Sequence, residues 1–446
     1  MKRYRVYKPT GTNWISSVPI TWDVKKIVHL FSQRKEKVSD RDFPPLSVTK
    51  NGILPQLENA AKTDDGDNRK RVCVGDFVIN SRSDRKGSCG VSALEGSVSL
   101  INIVLHPRSQ LTGNYAHYLL RSQPFSEEFY RNGRGIVADL WTTRYSEMKT
   151  ILLPVPPREE QDQIVRYLDW QVSKINRLIA AKRKQIALLR EQHKRRISEA
   201  VLHGTDDACC QKDSGVEWIG MIPEHWHVIR CKHVFTERDE RSVAGEEEHL
   251  SMSQKYGLVP DSELDERRML SESYAGGKIC YRDDLVLNRL KAHLGVFALS
   301  PQKGVISPDY TVLVPNNERI LPTYGEAVLK SDLCRRELRI RVRGIIEGFW
   351  RLYTDDFNTI VIPLPPLKEQ RQIMEYIGAL DKKFTVLKQN LEKEISVLHD
   401  LRTRLISDVV TGQVDVRGIE VPEYEYVGET NEAGEQDEEA EEEIDG

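Results

Sequence analysis

A chain of 446 residues has room for about two to four domains, and 39% hydrophobic residues are enough to give them cores. No apolar run reaches the roughly 18 residues of a membrane span, and MKRYRVYKPTG lacks the apolar stretch of a secretory signal, so cytoplasmic localisation is expected. The net charge of −3 hides a polarity: ten acids and no bases lie between Gly428 and Gly446, and without them the remainder carries +7.

In chain order, the first half opens as a mixed α/β region. Short β-branched runs at 73–79 and 100–105 predict strands, residues 64–68 predict a loop, and residues 114–129 predict a helical piece. Pro156-Pro157 forces extended backbone, and Glu159-Glu160 then suits the positive end of a new helix. From there Leu168, Val172, Ile175, Ile179, Ile186 and Leu189 keep a heptad spacing that Lys182 and His193 interrupt. A linker follows at 204–211.

The second half repeats this order. Strands are predicted at 284–287 and 310–314, and helical structure at 322–339. Pro365-Pro366 and Glu369 then launch a second long helix. Its seam runs through Ile373, Ile377, Leu380, Phe384, Leu387, Leu391, Ile395, Leu398, Leu405 and Val409. Thr411-Gly412 is a suitable stop. Residues 413–427 lead into an acidic stretch at 428–446, too charged and too poor in apolar residues to fold alone.

The two halves are copies. Lys8, Gly11, Trp14, Ile15, Pro19, Trp22, Val24, Phe31 and Arg34 recur with an offset of 204 as Lys212, Gly215, Trp218, Ile219, Pro223, Trp226, Val228, Phe235 and Arg238. Arg134-Gly135-Ile136, Trp141, Pro154-x-Pro156-Pro157 and Glu160-Gln161 recur with an offset of 209. This period is far longer than a solenoid unit of roughly 20–50 residues, so a whole domain and its helix are duplicated. The expected fold is α+β: two similar mixed α/β domains joined by two long helices in an antiparallel coiled coil, with internal pseudo-twofold symmetry. The boundaries are 1–153, 154–203, 204–211, 212–362, 363–412, 413–427 and 428–446.

Catalytic motifs are missing. The sequence has no phosphate-binding G-x-x-x-x-G-K-[ST], no H-E-x-x-H and no G-x-S-x-G. Neither Pro308-Asp309 nor Pro260-Asp261 is followed within about twenty residues by the Glu/Asp-x-Lys of a nuclease. The eleven histidines form no ligand pattern, and the seven cysteines read as reduced, packed thiols. No metal or cofactor of its own is expected, and the chain reads as a binding protein.

Basic-polar loops recur at matching places in both halves. The first pair holds Asn80, Arg82, Arg85 and Lys86 against Asn288, Arg289, Lys291 and His293. The second sets Lys50 against Gln254 and Lys255. The third sets Arg131 and Arg134 against Arg341 and Arg343. Arg34 and Arg238 join them as basic residues at equivalent positions. Arg and Lys suit guanine edges and phosphates, and Asn and Gln suit adenine, so these residues are candidate DNA contacts. Trp14, Trp22, Trp218 and Trp226 are expected to pack a core or to dock a partner. With Pro157, Gln161, Pro366 and Gln370 they form the candidate partner-docking set.

Three motif groups carry a resemblance. Trp218-Ile219-Gly220-x-Ile222-Pro223-x-x-Trp226 opens a half, Pro363-x-Pro365-Pro366-x-x-Glu369-Gln370 launches a helix, and Ile406-Ser407-Asp408-Val409-Val410-Thr411-Gly412 closes it. Looser versions occupy the first half. Over about residues 8–420 the chain resembles the DNA-specificity subunit of a type I restriction-modification system. The acidic tail departs from that pattern. The resemblance implies two target-recognition domains, each reading one half of a bipartite, asymmetric DNA target, with the helices setting the spacing. It implies a non-catalytic chain that recruits two methyltransferase subunits and, through them, restriction subunits. S-adenosylmethionine, ATP and Mg belong on those partners, as does base flipping. The alternative is a coiled-coil scaffold without DNA recognition.

Overall fold

The computed structural model describes residues 2–56, 66–135, 141–206, 208–253, 256–263, 274–344 and 350–428. Part of the 64–68 loop and the acidic stretch after Gly428 lie outside these residues. Among the described residues no helix is long and apolar enough to cross a membrane.

The chain forms two compact units. One comprises residues 2–183 and 392–428, the other residues 184–391. These units divide the chain differently from the sequence-based boundaries, because each globular core incorporates segments of both long helices. In the first unit Leu405, Val409 and Val410, near the end of the second helix, join the core built on Trp22, Phe31, Tyr115 and Phe129. In the second unit Ala200, Val201 and Leu202, near the end of the first helix, join the core built on Trp226, Phe235, Tyr324 and Phe357.

The first unit has an antiparallel four-stranded sheet in the order Cys89–Val91, Phe77–Asn80, Asn102–Pro107, Phe31–Gln33. The second unit repeats it as Phe297–Leu299, Leu285–Asn288, Tyr310–Pro315, Phe235–Arg238. Each unit also carries a small hairpin, Leu46–Thr49 with Gly52–Pro55 and Leu250–Ser253 with Gly257–Pro260. A two-stranded ribbon leads into each long helix: Asp23–Lys26 with Leu152–Val155, and His227–Arg230 with Val361–Leu364.

Each expected helical piece is two helices. Gly113–Arg121 and Gln123–Arg131 meet at Ser122; Pro322–Lys330 and Asp332–Arg341 meet at Ser331. Both serines are extended, and each hydroxyl donates to the carbonyl of the preceding turn, on Leu119 and Val328, at 2.7 Å. The side chain competes for the helix's own acceptor and breaks it there.

The long helices span Arg158–His203 and Leu367–Val410. In the first unit Arg402 Nη1 donates to Asn176 Oδ1 at 2.9 Å, and Lys182 Nζ pairs with Glu394 at 2.7 Å. The partner numbers fall as the helix numbers rise, so these segments are antiparallel. In the second unit the His193 ring stacks on Phe384 at 4.3 Å, and its Nε2 meets Asp381 at 2.8 Å. The two residues that interrupt the heptads therefore have partners of their own.

Both helices end on a left-handed glycine, Gly204 at φ +85° and Gly412 at φ +75°. A side chain there would also collide: a Cβ on Gly412 would lie 2.5 Å from Pro19 Cδ and 3.1 Å from Trp22, and one on Gly204 would lie 3.3 Å from Trp226. The same core tyrosine binds each helix end. Tyr115 Oη donates to the Val410 carbonyl at 3.0 Å, and Tyr324 Oη to the Val201 carbonyl at 2.9 Å.

Gln161 and Gln370 sit fully buried in the first turn of the long helices. Gln370 Oε1 accepts from Leu321 N at 2.6 Å, and its Nε2 donates to the Arg319 and Pro365 carbonyls at 2.9 and 2.8 Å. Gln161 does the same with Thr112 N, Gln110 O and Pro156 O at 2.9, 2.9 and 3.0 Å. Gln370→Leu strands one amide and two carbonyls in the core, and is expected to cost the second unit about 2–4 kcal/mol in urea unfolding. An unchanged unfolding curve would contradict the stapling role.

Candidate nucleic-acid interface

In the first unit the loop after strand Phe77–Asn80 starts with a side-chain turn: Asn80 Oδ1 accepts from Arg82 N at 3.0 Å. A short turn at Ser83–Arg85 returns the chain to Ser88, whose N donates to Arg85 O at 3.0 Å. Tyr130 supports the loop from below, its hydroxyl 3.2 Å from the carbonyls of both Asn80 and Arg85. Burial pushes that phenol's pKa up, so it stays a donor. Thr143 N donates to Ser81 O at 2.9 Å, and Arg134 and Thr142 exchange backbone bonds at 3.0 Å. The loops at 80–88, 131–135 and 141–144 are thus one patch.

The side chains of that patch are cationic and outward. Arg82, Arg85, Lys86, Arg131 and Arg134 are exposed. Arg85 lies 3.8 Å from Asp84, and Arg131 pairs with Glu128. Lys50 is exposed at the tip of the small hairpin, where its carbonyl accepts from Arg121 Nη2 at 2.6 Å. Gly90 on the edge strand lets the hairpin backbone approach; a Cβ there would lie 3.1 Å from Gly52 Cα.

The second unit builds the same patch with different side chains. Asn288 Oδ1 accepts from Leu290 N at 3.1 Å, Leu352 N donates to Arg289 O at 2.9 Å, and Arg343 and Arg351 exchange backbone bonds at 2.9 and 2.8 Å. Here the cations are braced. Arg289 Nε donates to Thr311 at 2.8 Å and its Nη2 lies 3.5 Å from Glu237. Arg341 pairs with Glu337, and the exposed Arg343 with Asp356. Lys291 is half-buried. Gln254, Lys255 and the side chain of His293 lie outside the described residues.

The structure removes several expected contacts from the site. Arg34 Nε and Nη2 grip the buried Asp76 carboxylate at 2.6 and 3.1 Å, and the same oxygen that accepts from Arg34 Nε also takes Cys73 N at 2.9 Å. The bond to Asp76 raises the Arg34 pKa further, despite partial burial. Arg238 and Asp284 repeat the grip at 3.0 and 3.4 Å. These arginines pin a strand turn. Asn80 and Asn288 spend their side-chain oxygens on the loop's own turn. Trp22, Trp226, Gln161 and Gln370 are fully buried, so none of them can dock a partner. Trp14 and Trp218 are half-buried, and Pro157 and Pro366 are exposed. Arg144, exposed at the end of the 141–144 loop, and Arg351, which exchanges backbone bonds with Arg343, join the patches unforeseen; the signal that could have found them was proximity to the repeated Trp141 and Trp350.

Residues 266–397 match the family model for the type I restriction modification DNA specificity domain. A putative type I restriction enzyme MjaX specificity subunit of Methanocaldococcus jannaschii is 22% identical over 439 residues, covering 90% of this chain and 96% of that one. The EcoKI specificity subunit of Escherichia coli is 21% identical over 367 residues, covering 77% of this chain and 76% of that one. A solved chain described under complex assembly and conformational transition of the type I R-M system has a similar fold. Its TM-score is 0.57 at 16% identity, over 89% of this chain and 99% of that one. Along most of its length the chain is thus similar to proteins named as type I restriction enzyme specificity subunits, and residues 266–397 carry that family's DNA specificity domain.

Arg82→Ala and Arg34→Ala should separate the two kinds of arginine. Arg82→Ala is expected to keep the unfolding midpoint and to weaken duplex binding, lowering the salt slope by about one if it holds a phosphate. Arg34→Ala removes the bidentate partner of the buried Asp76 carboxylate, which keeps only Cys73 N and His106 Nδ1, and should cost about 3 kcal/mol of stability. Equal destabilisation by both would contradict the assignment.

Proposed function

We propose that each unit reads one half of a bipartite, asymmetric DNA target through its basic loop patch. The observation that carries this reading is the recurrence of one loop scaffold in both units with unlike side chains. Asn80 and Asn288 shape the same turn, yet the residues that follow are Arg82, Arg85 and Lys86 in one and Arg289 and Lys291 in the other. A shared scaffold gives both units the same approach to a groove, and different side chains give each its own bases. The remaining contact set is Lys50, Arg82, Arg85, Lys86, Arg131 and Arg134 in the first unit. In the second it is Arg289, Lys291, Arg341 and Arg343, with Gln254, Lys255 and His293 retained from the sequence.

The long helices, in this reading, form an antiparallel coiled coil that sets the half-site spacing. Helices of 46 and 44 residues are about 69 and 66 Å long at about 1.5 Å per residue. That length suits half-sites one to two DNA turns apart, about 34–70 Å. The helices, with Pro157 and Pro366 at their starts and with Trp14 and Trp218, would dock two methyltransferase subunits and through them restriction subunits. S-adenosylmethionine, ATP and Mg would stay on those partners.

Deleting one heptad from each helix, residues 184–190 and 385–391, tests the spacing. The unread gap in the targets selected from random duplexes should shorten by about three base pairs, from about 10 Å of lost helix. An unchanged gap would discredit the spacing role. A chain with no salt-sensitive duplex affinity, alone or with a methyltransferase subunit, would instead be the scaffold.

A further inference from the structure

Equivalent faces of the two long helices differ in cover. On the second helix Tyr376 is 38% exposed, and Lys382 and Thr385 are exposed. At the positions 209 residues earlier, Tyr167 is 4%, Ser173 2% and Asn176 4% exposed. The difference lies partly in the chain's own C-terminal segment, which runs along the first helix within the first unit. Gln163 Nε2 donates to the Val416 and Ile419 carbonyls at 3.0 and 2.7 Å. Ser173 Oγ donates to Glu425 O at 3.0 Å and accepts from Val427 N at 2.7 Å. Asn176 Nδ2 donates to Val427 O at 3.1 Å. Arg177 reaches the Glu425 carbonyl at 3.3 Å and its carboxylate at 3.6 Å.

This attachment is of a weak kind. Residues 421–427 form no helix or strand, and Tyr424 and Tyr426 remain 37% and 64% exposed. The segment is held by polar bonds of about 0.5–1.5 kcal/mol each, and its apolar anchorage is limited to Val421 against the core and the half-buried Val427. Yet it completes two buried polar side chains, Ser173 and Asn176, which at the second helix are a lysine and a threonine in the open. The first helix is therefore built to take an extended strand of main chain along this face, and any other extended segment could make the same bonds.

We propose that residues 421–427 are an internal competitor for a docking face of the first long helix, the face whose counterpart on the second helix stands open. The partner is the methyltransferase subunit, so the inference rests on the docking role under Proposed function. Two copies of one partner then bind unequally: the first takes the second helix, and the other must peel the segment from Ser173 and Asn176. One chain thereby orders the assembly of two identical subunits.

Native mass spectrometry and calorimetry with the methyltransferase subunit test this. The intact chain should bind two copies with affinities at least about tenfold apart. A chain ending at Glu420 should bind both nearly equally, and one ending at Gly428 should behave as the intact chain does. Ser173→Cys with Val427→Cys, oxidised, should stop at one copy and return to two on reduction, which controls for any folding defect of the truncation. Two equal affinities in the intact chain, or two copies on the locked chain, would overturn the competitor role while leaving docking in place. If no version takes up any partner, the docking reading falls and the competitor role with it.

Discussion

Two buried side chains per unit tie helix to sheet, and the rest of the architecture depends on them. Gln161 and Gln370 each satisfy one amide and two carbonyls, and Tyr115 and Tyr324 each hold the carbonyl end of the other long helix. A buried amide or phenol without partners costs a large part of a domain's marginal stability. The start of one helix and the end of the other are thus fixed against the same core. A globular part of this protein is not a module with a helix appended; it needs segments of both helices to close.

That constraint divides the internal repeat by purpose. Residues that recur unchanged mostly face inward: Arg34–Asp76 and Arg238–Asp284, the turn-forming Asn80 and Asn288, Trp22 and Trp226, the stapling glutamines, and the glycines that end the helices. Residues that recur in position but not in kind face outward, on the loops the inward set holds in place. The first unit presents arginines and two lysines, with Asp84 beside Arg85 and Glu128 beside Arg131. The second braces its arginines with Glu237, Glu337 and Asp356. Two patches of equal placement and unlike side chains are what the proposed reading of two different half-sites requires.

Much of this was legible in the sequence, and the failures have physical causes. The duplication, the Pro-Pro helix starts and the seams were readable because they are local or periodic. Inward or outward facing was not readable from a repeated motif: Arg34 and Gln161 recur as functional residues would, but they recur because a buried partner needs them. The splits at Ser122 and Ser331 escaped because one hydroxyl's choice of acceptor outweighs an otherwise helical pattern. Lys182 and His193 break the apolar seam locally, and the partners that account for them, Glu394, Asp381 and Phe384, lie about two hundred residues away in sequence. The attachment of residues 421–427 had no signal in that segment, since its hydrogen bonds to Ser173 and Asn176 come from its main chain.

The central claim is that each unit reads its own half-site on a common scaffold. The most direct test is a hybrid in which residues 34–153 replace residues 238–362, assembled with the methyltransferase subunit and offered random duplexes. The account predicts that the selected target becomes symmetric, an inverted repeat of the first unit's half-site. A target that stays asymmetric and keeps the original second half would contradict it.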